Sequence, residues 1–234
     1  MNQSDNLSIA ERLLNAAIGH VPFDGWGDET FRAACKDAEI DESIARLHCP
    51  NGALDLAILS HTQGDQAMLK RLGATDLSGL KFREKIATAI RVRLEVLDDK
   101  EIVRRATTLF ALPHNMKRGA DLIWGTSDLI WTTLGDTSDD YNWYSKRTIL
   151  SAVYSATVLY WLGDTSEDQE QTWDFLDRRI ENVMQFEKAK SRLRENTALT
   201  RLLAGPAALL SRVRAPQNSQ NDRPGFWTPN SKDI

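Results

Sequence analysis

Four histidines, His20, His48, His61 and His114, and two cysteines, Cys35 and Cys49, are the side chains of this 234-residue sequence best suited to metal ligation or to nucleophilic and acid–base chemistry. A helical metal site needs a histidine paired with an acid in a pattern such as HExxH or ExxH, and the histidines read as scattered outside any such pairing. The cysteines have no CxxC or CxH companion, so they read as two small buried thiols. The acid pairs Asp98 with Asp99 and Asp139 with Asp140 fall at turns, where carboxylates cap helices in water. His114, directly after Pro113, reads as a polar residue at a helix start. No glycine-rich phosphate loop is present. No catalytic residue, metal or cofactor is expected, and the chain does not read as an enzyme.

The chemistry it does suggest is that of contact. In GDTSDDYNWYSKR, residues 135 to 147, Tyr141, Asn142, Trp143 and Tyr144 open a helix beside Arg147. Large amphipathic rings of this kind supply contact area at little entropic cost. Around them, Leu109, Phe110, Leu112, Met116, Ile123, Trp124, Ile130, Trp131, Leu150, Val153, Tyr154, Val158 and Trp161 make three successive helices apolar over more than one face. Such helices either fill a core or enclose an apolar cavity, and periodicity does not separate the two. Near the end, Leu199, Leu202, Leu203, Leu209, Leu210 and Val213 share one helical face opposite Arg201 and Arg212. This is the pattern of a basic amphipathic helix that lies on an anionic membrane, with docking on the protein's own body as the alternative.

The elements that must position these residues are all helical. Apolar residues recur at helical spacing over roughly 8–20, 28–38, 41–47, 51–73, 81–97, 100–112, 114–134, 141–162, 167–190 and 196–213, and no window alternates as a half-buried strand does. The repeated GDTS stretches at 135 and 163 read as a left-handed glycine closing one helix and an oxygen-bearing cap starting the next. The net charge of -4 is unevenly spread, with +6 on residues 188–214 and the compensating acid ahead of them. Four units are expected: a helix-turn-helix-like subdomain at 1–60, a helical lipid- and partner-binding domain at 61–190, an amphipathic membrane helix at 191–214 and a disordered tail at 215–234.

The first sixty residues resemble the TetR-type DNA-binding domain. An amphipathic helix leads through HVPFDGWGDE to a second helix, then to the short DESIARLH and an HCP turn. Their net charge of -6 tells against phosphate binding, so nucleic acid is not an expected partner. With GDTSDDYNWYSKR, SAVYSATVLYWLGDTSED and WDFLDRRIENVMQFEKAK also present, residues 8 to 214 resemble the Coq9 family of ubiquinone biosynthesis accessory proteins. The resemblance implies an all-α, TetR-like bundle with an extra C-terminal amphipathic helix, and a non-enzymatic protein. It implies an isoprenoid quinone precursor or phospholipid as ligand, and a di-iron demethoxyubiquinone hydroxylase that meets the Tyr141–Arg147 patch. It also implies a homodimer with peripheral membrane contact. The N-terminus MNQSDNLSIAERLL has no basic targeting region, which suggests a bacterial-type cytoplasmic protein at the inner face of the membrane. The rival expectation is a TetR-like regulator with an apolar effector pocket.

Overall fold

The computed structural model describes residues 7–97, 99–194 and 214–215, with the side chains of the last helix described as far as residue 186. All regular structure among them is helical. The elements are α1 (Ile9–Ile18), α2 (Val21–Asp24), α3 (Asp28–Asp37), α4 (Glu42–His48), α5 (Ala53–Gly73), α6 (Phe82–Glu95), α7 (Lys100–Ala111), α8 (Met116–Thr133), α9 (Tyr141–Gly163) and α10 (Glu170–Arg194), with a 3-10 turn at Glu167–Gln169. The predicted helices up to residue 190 agree with these spans to within a few residues; α2 is not predicted. Its four residues contain Pro22 and are too few to show a period, so the sequence reads there as a turn.

Local chemistry fixes several boundaries. Ser8 and Glu11 form a reciprocal capping box at the start of α1, and Asp41, Asp99 and Asp140 accept backbone N–H groups at the starts of α4, α7 and α9. Of the two GDTS stretches, only the first behaves as expected. Gly135 turns left-handed at φ 83°, whereas Gly163 stays helical and Asp164 takes over. The Asp164 carboxylate accepts the N–H groups of Ser166 and Thr172 at 2.8 and 2.9 Å. Burial works to raise that carboxyl, and these bonds together with the two hydroxyl groups outweigh it, holding it well below the usual range.

Two apolar clusters build the molecule. Leu13, Leu14, Val21, Phe31, Ala45 and Leu56 form one, which unites α1 to α4 with the first half of α5. Met68, Ile90, Ile130, Leu150, Tyr154, Trp161 and Leu176 form the other, among α5, α6, α8, α9 and α10. α5 belongs to both, with Leu56 and Ala57 in the first and Met68 and Leu72 in the second, so it is the strut between them. Cys35 and Cys49 are free and buried, as their isolation suggests, and burial pushes both thiols up. On α4, Arg46 is held by Glu42 at 3.1 Å and Asp28 at 3.4 Å and lies over the Phe31 ring. No helix among the described residues is long and apolar enough to cross a membrane. The segment 196–213, with Leu199, Arg201, Leu202, Leu203, Leu209, Leu210, Arg212 and Val213, lies outside the described residues, as does most of the tail.

Candidate functional site

α7, α8 and α9 border a half-open cavity of about 370 Å³ lined by Phe110, Met116, Ile123, Tyr154, Val158 and Leu159, among others. Gly119 lets α8 approach α7 so closely that a Cβ there would lie 2.8 Å from the Phe110 side chain, and Met116 and Leu159 at the rim stay exposed although they are large and apolar. A second cavity of about 310 Å³ lies against α5, α6 and α7 and shares His61, Val103, Ala106 and Tyr154 with the first. His61 and Tyr154 therefore stand where the two spaces meet. A third, an apolar groove of about 310 Å³, runs along α6, α8, α9 and α10 past Phe82, Trp131, Leu150, Val153 and Met184.

The apolar residues singled out in the sequence divide among these places. Phe110, Ile123, Tyr154 and Val158 line the first cavity, while Trp131 and Val153 line the groove. Ile130 and Trp161 are fully buried core, the latter donating its indole N–H to Gln169 at 2.6 Å. Leu109 packs against the first apolar cluster, and Leu112 is exposed beyond the end of α7. Trp124 joins the aromatic patch.

That patch is built on α8 and the start of α9. Trp143 meets Tyr144 edge-on with ring centroids 4.8 Å apart, and Trp124 lies 5.9 Å from the one and 6.4 Å from the other. Trp143 and Tyr144 are half-buried, while Tyr141 and Asn142 are exposed. Arg147 lies beneath, itself 2% exposed. It bonds Asp128 at 2.5 Å and Asp136 at 3.0 Å, and its guanidinium stacks 4.0 Å from the Trp143 ring centroid. Lys146 reaches the same Asp136 at 2.7 Å. Burial works to raise the Asp136 carboxyl, but hydrogen bonds from Lys146, Ser138 and Arg147 overcome it and hold it at about 2.

Sequence reasoning missed a buried polar cluster. Arg93 donates to Asp65 at 2.7 Å and to the His61 carbonyl at 3.0 Å, and Thr126 donates to Asp65 at 2.9 Å. His61 Nε2 lies 2.9 Å from the Thr126 hydroxyl and 3.6 Å from Asp65. Burial first, and then the Arg93 charge, pull the His61 imidazole down to about 4, with Asp65 acting in the opposite sense. One signal was available: His61 and Asp65 stand four apart on α5, on one face of the helix. Arg93 and Thr126 come from α6 and α8, and no local spacing announces them. Among the described residues, no group of three or more His, Cys, Asp and Glu is placed to hold a metal ion.

The COQ9 family model matches residues 116–187, which span α8, α9 and most of α10. The ubiquinone biosynthesis protein COQ9, mitochondrial, of Rattus norvegicus is 30% identical over 215 residues, covering 88% of this chain and 68% of the rat protein. The chain belongs to the COQ9 family. The Homo sapiens COQ9 protein is 29% identical over 216 residues, 88% of this chain and 67% of its own, and a probable ubiquinone biosynthesis protein coq9 of Dictyostelium discoideum is 29% identical over 198 residues, 81% and 64%. The chain thus spans about two thirds of the length of the curated COQ9 relatives it matches. In fold, a crystal structure of a TetR transcriptional regulator from Nitrosomonas europaea matches with a TM-score of 0.61 at 16% identity, over 74% of this chain and 96% of that one. The COQ9 chain is accordingly an all-α, TetR-like bundle.

One expectation is corrected. These COQ9 relatives, with that of Drosophila melanogaster, are all named as mitochondrial proteins of eukaryotes. This overturns the bacterial-type, cytoplasmic-membrane location. The expectation rested on the character of residues 1–14, which carries no compartment information for a chain shorter than its relatives.

Proposed function

We propose that this COQ9-family protein serves ubiquinone biosynthesis without catalysing a step itself. In this reading it holds an isoprenoid quinone precursor between α7, α8 and α9 and presents it to a demethoxyubiquinone hydroxylase. The observation that carries the reading is α9. One helix supplies Tyr154, Val158 and Leu159 to the cavity and Tyr141, Asn142, Trp143, Tyr144 and Arg147 to the patch. From Trp143 to Tyr154 is about 16 Å along its axis, short enough for a ligand and a partner to be served by one rigid element. The +6 segment at 188–214 and its leucines would bring the cavity to an anionic membrane, where a prenylated substrate resides.

Mass spectrometry of an organic extract of the purified chain tests the lipid half of this reading. Quinone precursor or phospholipid near one molecule per chain, lost when Ser155→Trp fills the cavity, supports it. An extract free of lipid from protein purified out of membrane-containing lysate would overturn it and leave partner binding as the function.

A further inference from the structure

The apolar groove along α6, α8, α9 and α10 is left partly uncovered by the described residues. Phe82 at its edge is 47% exposed and Met184 39%, and Ile86, Trp131, Leu150 and Ile180 line it with them. Apolar surface gathered in one groove and open to water marks a contact site. Both cations on its wall are already paired, Lys146 with Asp136 at 2.7 Å and Arg83 with Glu181 at 3.7 Å. The groove therefore offers apolar surface and little charge, which suits the apolar face of an amphipathic helix better than a phospholipid head group.

The course of the chain points to which helix that is. α10 contributes Ile180, Val183 and Met184 to the groove and runs on to Arg194, about 15 Å further along its axis. The chain is next described at Arg214 and Ala215. There the Ala215 N–H donates to the Asp139 carbonyl at 2.8 Å, and the Arg214 guanidinium lies 3.9 Å from the Asp139 carboxylate. Asp139 is within about 11 Å of Asn142 by chain length, and Asn142, Ser145 and Lys146 line the groove at the start of α9. Residues 195–213, which lie outside the described residues, must therefore cross from the end of α10 back to the start of α9. The part nearest the Asp139 contact carries Leu209, Leu210 and Val213. Held at both ends, these side chains meet the groove at an effective concentration on the order of millimolar, far above that of a separate protein.

We propose that Leu209, Leu210 and Val213 of the same chain dock in the groove between α6, α8, α9 and α10 when no membrane is present. Leucines that would enter a bilayer are then held against Phe82, Trp131 and Met184, so groove and membrane compete for one apolar face. Asn142 belongs both to the groove and to the proposed hydroxylase patch, so membrane contact also uncovers that side of the patch. The competition rests on the membrane reading above, whereas the docking itself does not.

The test uses the full chain carrying Met184→Cys with Leu210→Cys and a short bifunctional thiol reagent. Cys35 and Cys49 are buried and do not compete for it, and an unchanged melting temperature checks the fold. A link within one chain is expected, formed at least about tenfold faster than in Met116→Cys with Leu210→Cys, where the first cysteine sits on the other cavity. Equal linking from positions 116 and 184 overturns the docking, and a link joining two chains makes a second copy the occupant. Wild-type protein gives an independent reading: amides of residues 207–213 are expected to exchange with deuterium at least about tenfold slower than a free peptide, at any protein concentration. Exchange at the free-peptide rate overturns the docking. With vesicles of phosphatidylglycerol added, the link between positions 184 and 210 is expected to fall about tenfold as the protein binds them. Vesicle binding with the link undiminished overturns the competition. A chain that links but binds no vesicle removes the membrane reading, and the competition with it, while the docking stands.

Discussion

Arg147 grips Trp143 twice, stacking its guanidinium 4.0 Å from the ring centroid and donating from Nη1 to the Trp143 carbonyl at 3.2 Å. The ring that dominates the patch is therefore set by a buried cation rather than left to rotate. Arg147→Ala removes that support and takes a partner from Asp136, which keeps Lys146. The expected cost is about 3 kcal/mol in urea unfolding, the scale of a broken buried ion pair. An Arg147→Ala variant within 0.5 kcal/mol of wild type would show that Lys146 alone suffices.

If the patch receives the hydroxylase as proposed, Trp143→Lys lowers hydroxylase capture by at least about thirtyfold, as loss of a central aromatic anchor does. The far-ultraviolet circular dichroism is expected to stay at wild-type helicity, because Trp143 is half-buried and lies in the first turn of α9. Loss of helicity in parallel with loss of binding would make the ring a structural residue.

Two acid-side transitions in stability are expected in separate windows. His61 is held near 4 in the folded protein against an ordinary 6.5, so between these values the unfolded chain takes up a proton that the folded one refuses. Stability falls as pH drops through that window, by up to about 3 kcal/mol. Asp136, held at about 2 against 3.8, contributes stability that is present above about 4 and is lost as pH falls through about 2. In urea titrations across pH, His61→Gln should flatten the upper window, and Asp136→Asn should lessen the fall in the lower one without removing it, because the depressed Asp164 carboxyl also loses stability there.

Gly64→Ala and Gly125→Ala should move in opposite directions. Alanine is the better helix former by about 1 kcal/mol, and at Gly125 nothing lies within 4 Å of a new Cβ, so a gain of that order is expected. At Gly64 the new methyl meets the Arg93 guanidinium, which is ion-paired and enclosed. A net loss of about 1 to 2 kcal/mol is expected there, the usual cost of overpacking. Thermal unfolding of both variants beside wild type decides it.

The helices were legible because burial imposes a period on the chain, most plainly in α1, α3 and α7. The four-residue α2 was not, since it is shorter than the pattern needed to see it. Partition of the aromatic residues was not legible either. Trp124 and Ile123 are neighbours in sequence, yet one joins the patch and the other the cavity, because a single step of 100° moves a side chain to another face. The Asp65–Arg93–Thr126 cluster is assembled from three helices, and only the His61–Asp65 pair leaves a local trace.

The notch at Gly64 has a consequence for how this family can diversify. A guanidinium fills the space that a methyl group would otherwise take, so residues 64 and 93 are a single choice made at two addresses. A relative that replaces the arginine is released from the glycine as well, and the glycine cannot be lost first without displacing the arginine. Substitution at the two sites should therefore have an order in time, arginine before glycine, even though the residues lie on different helices and 29 positions apart.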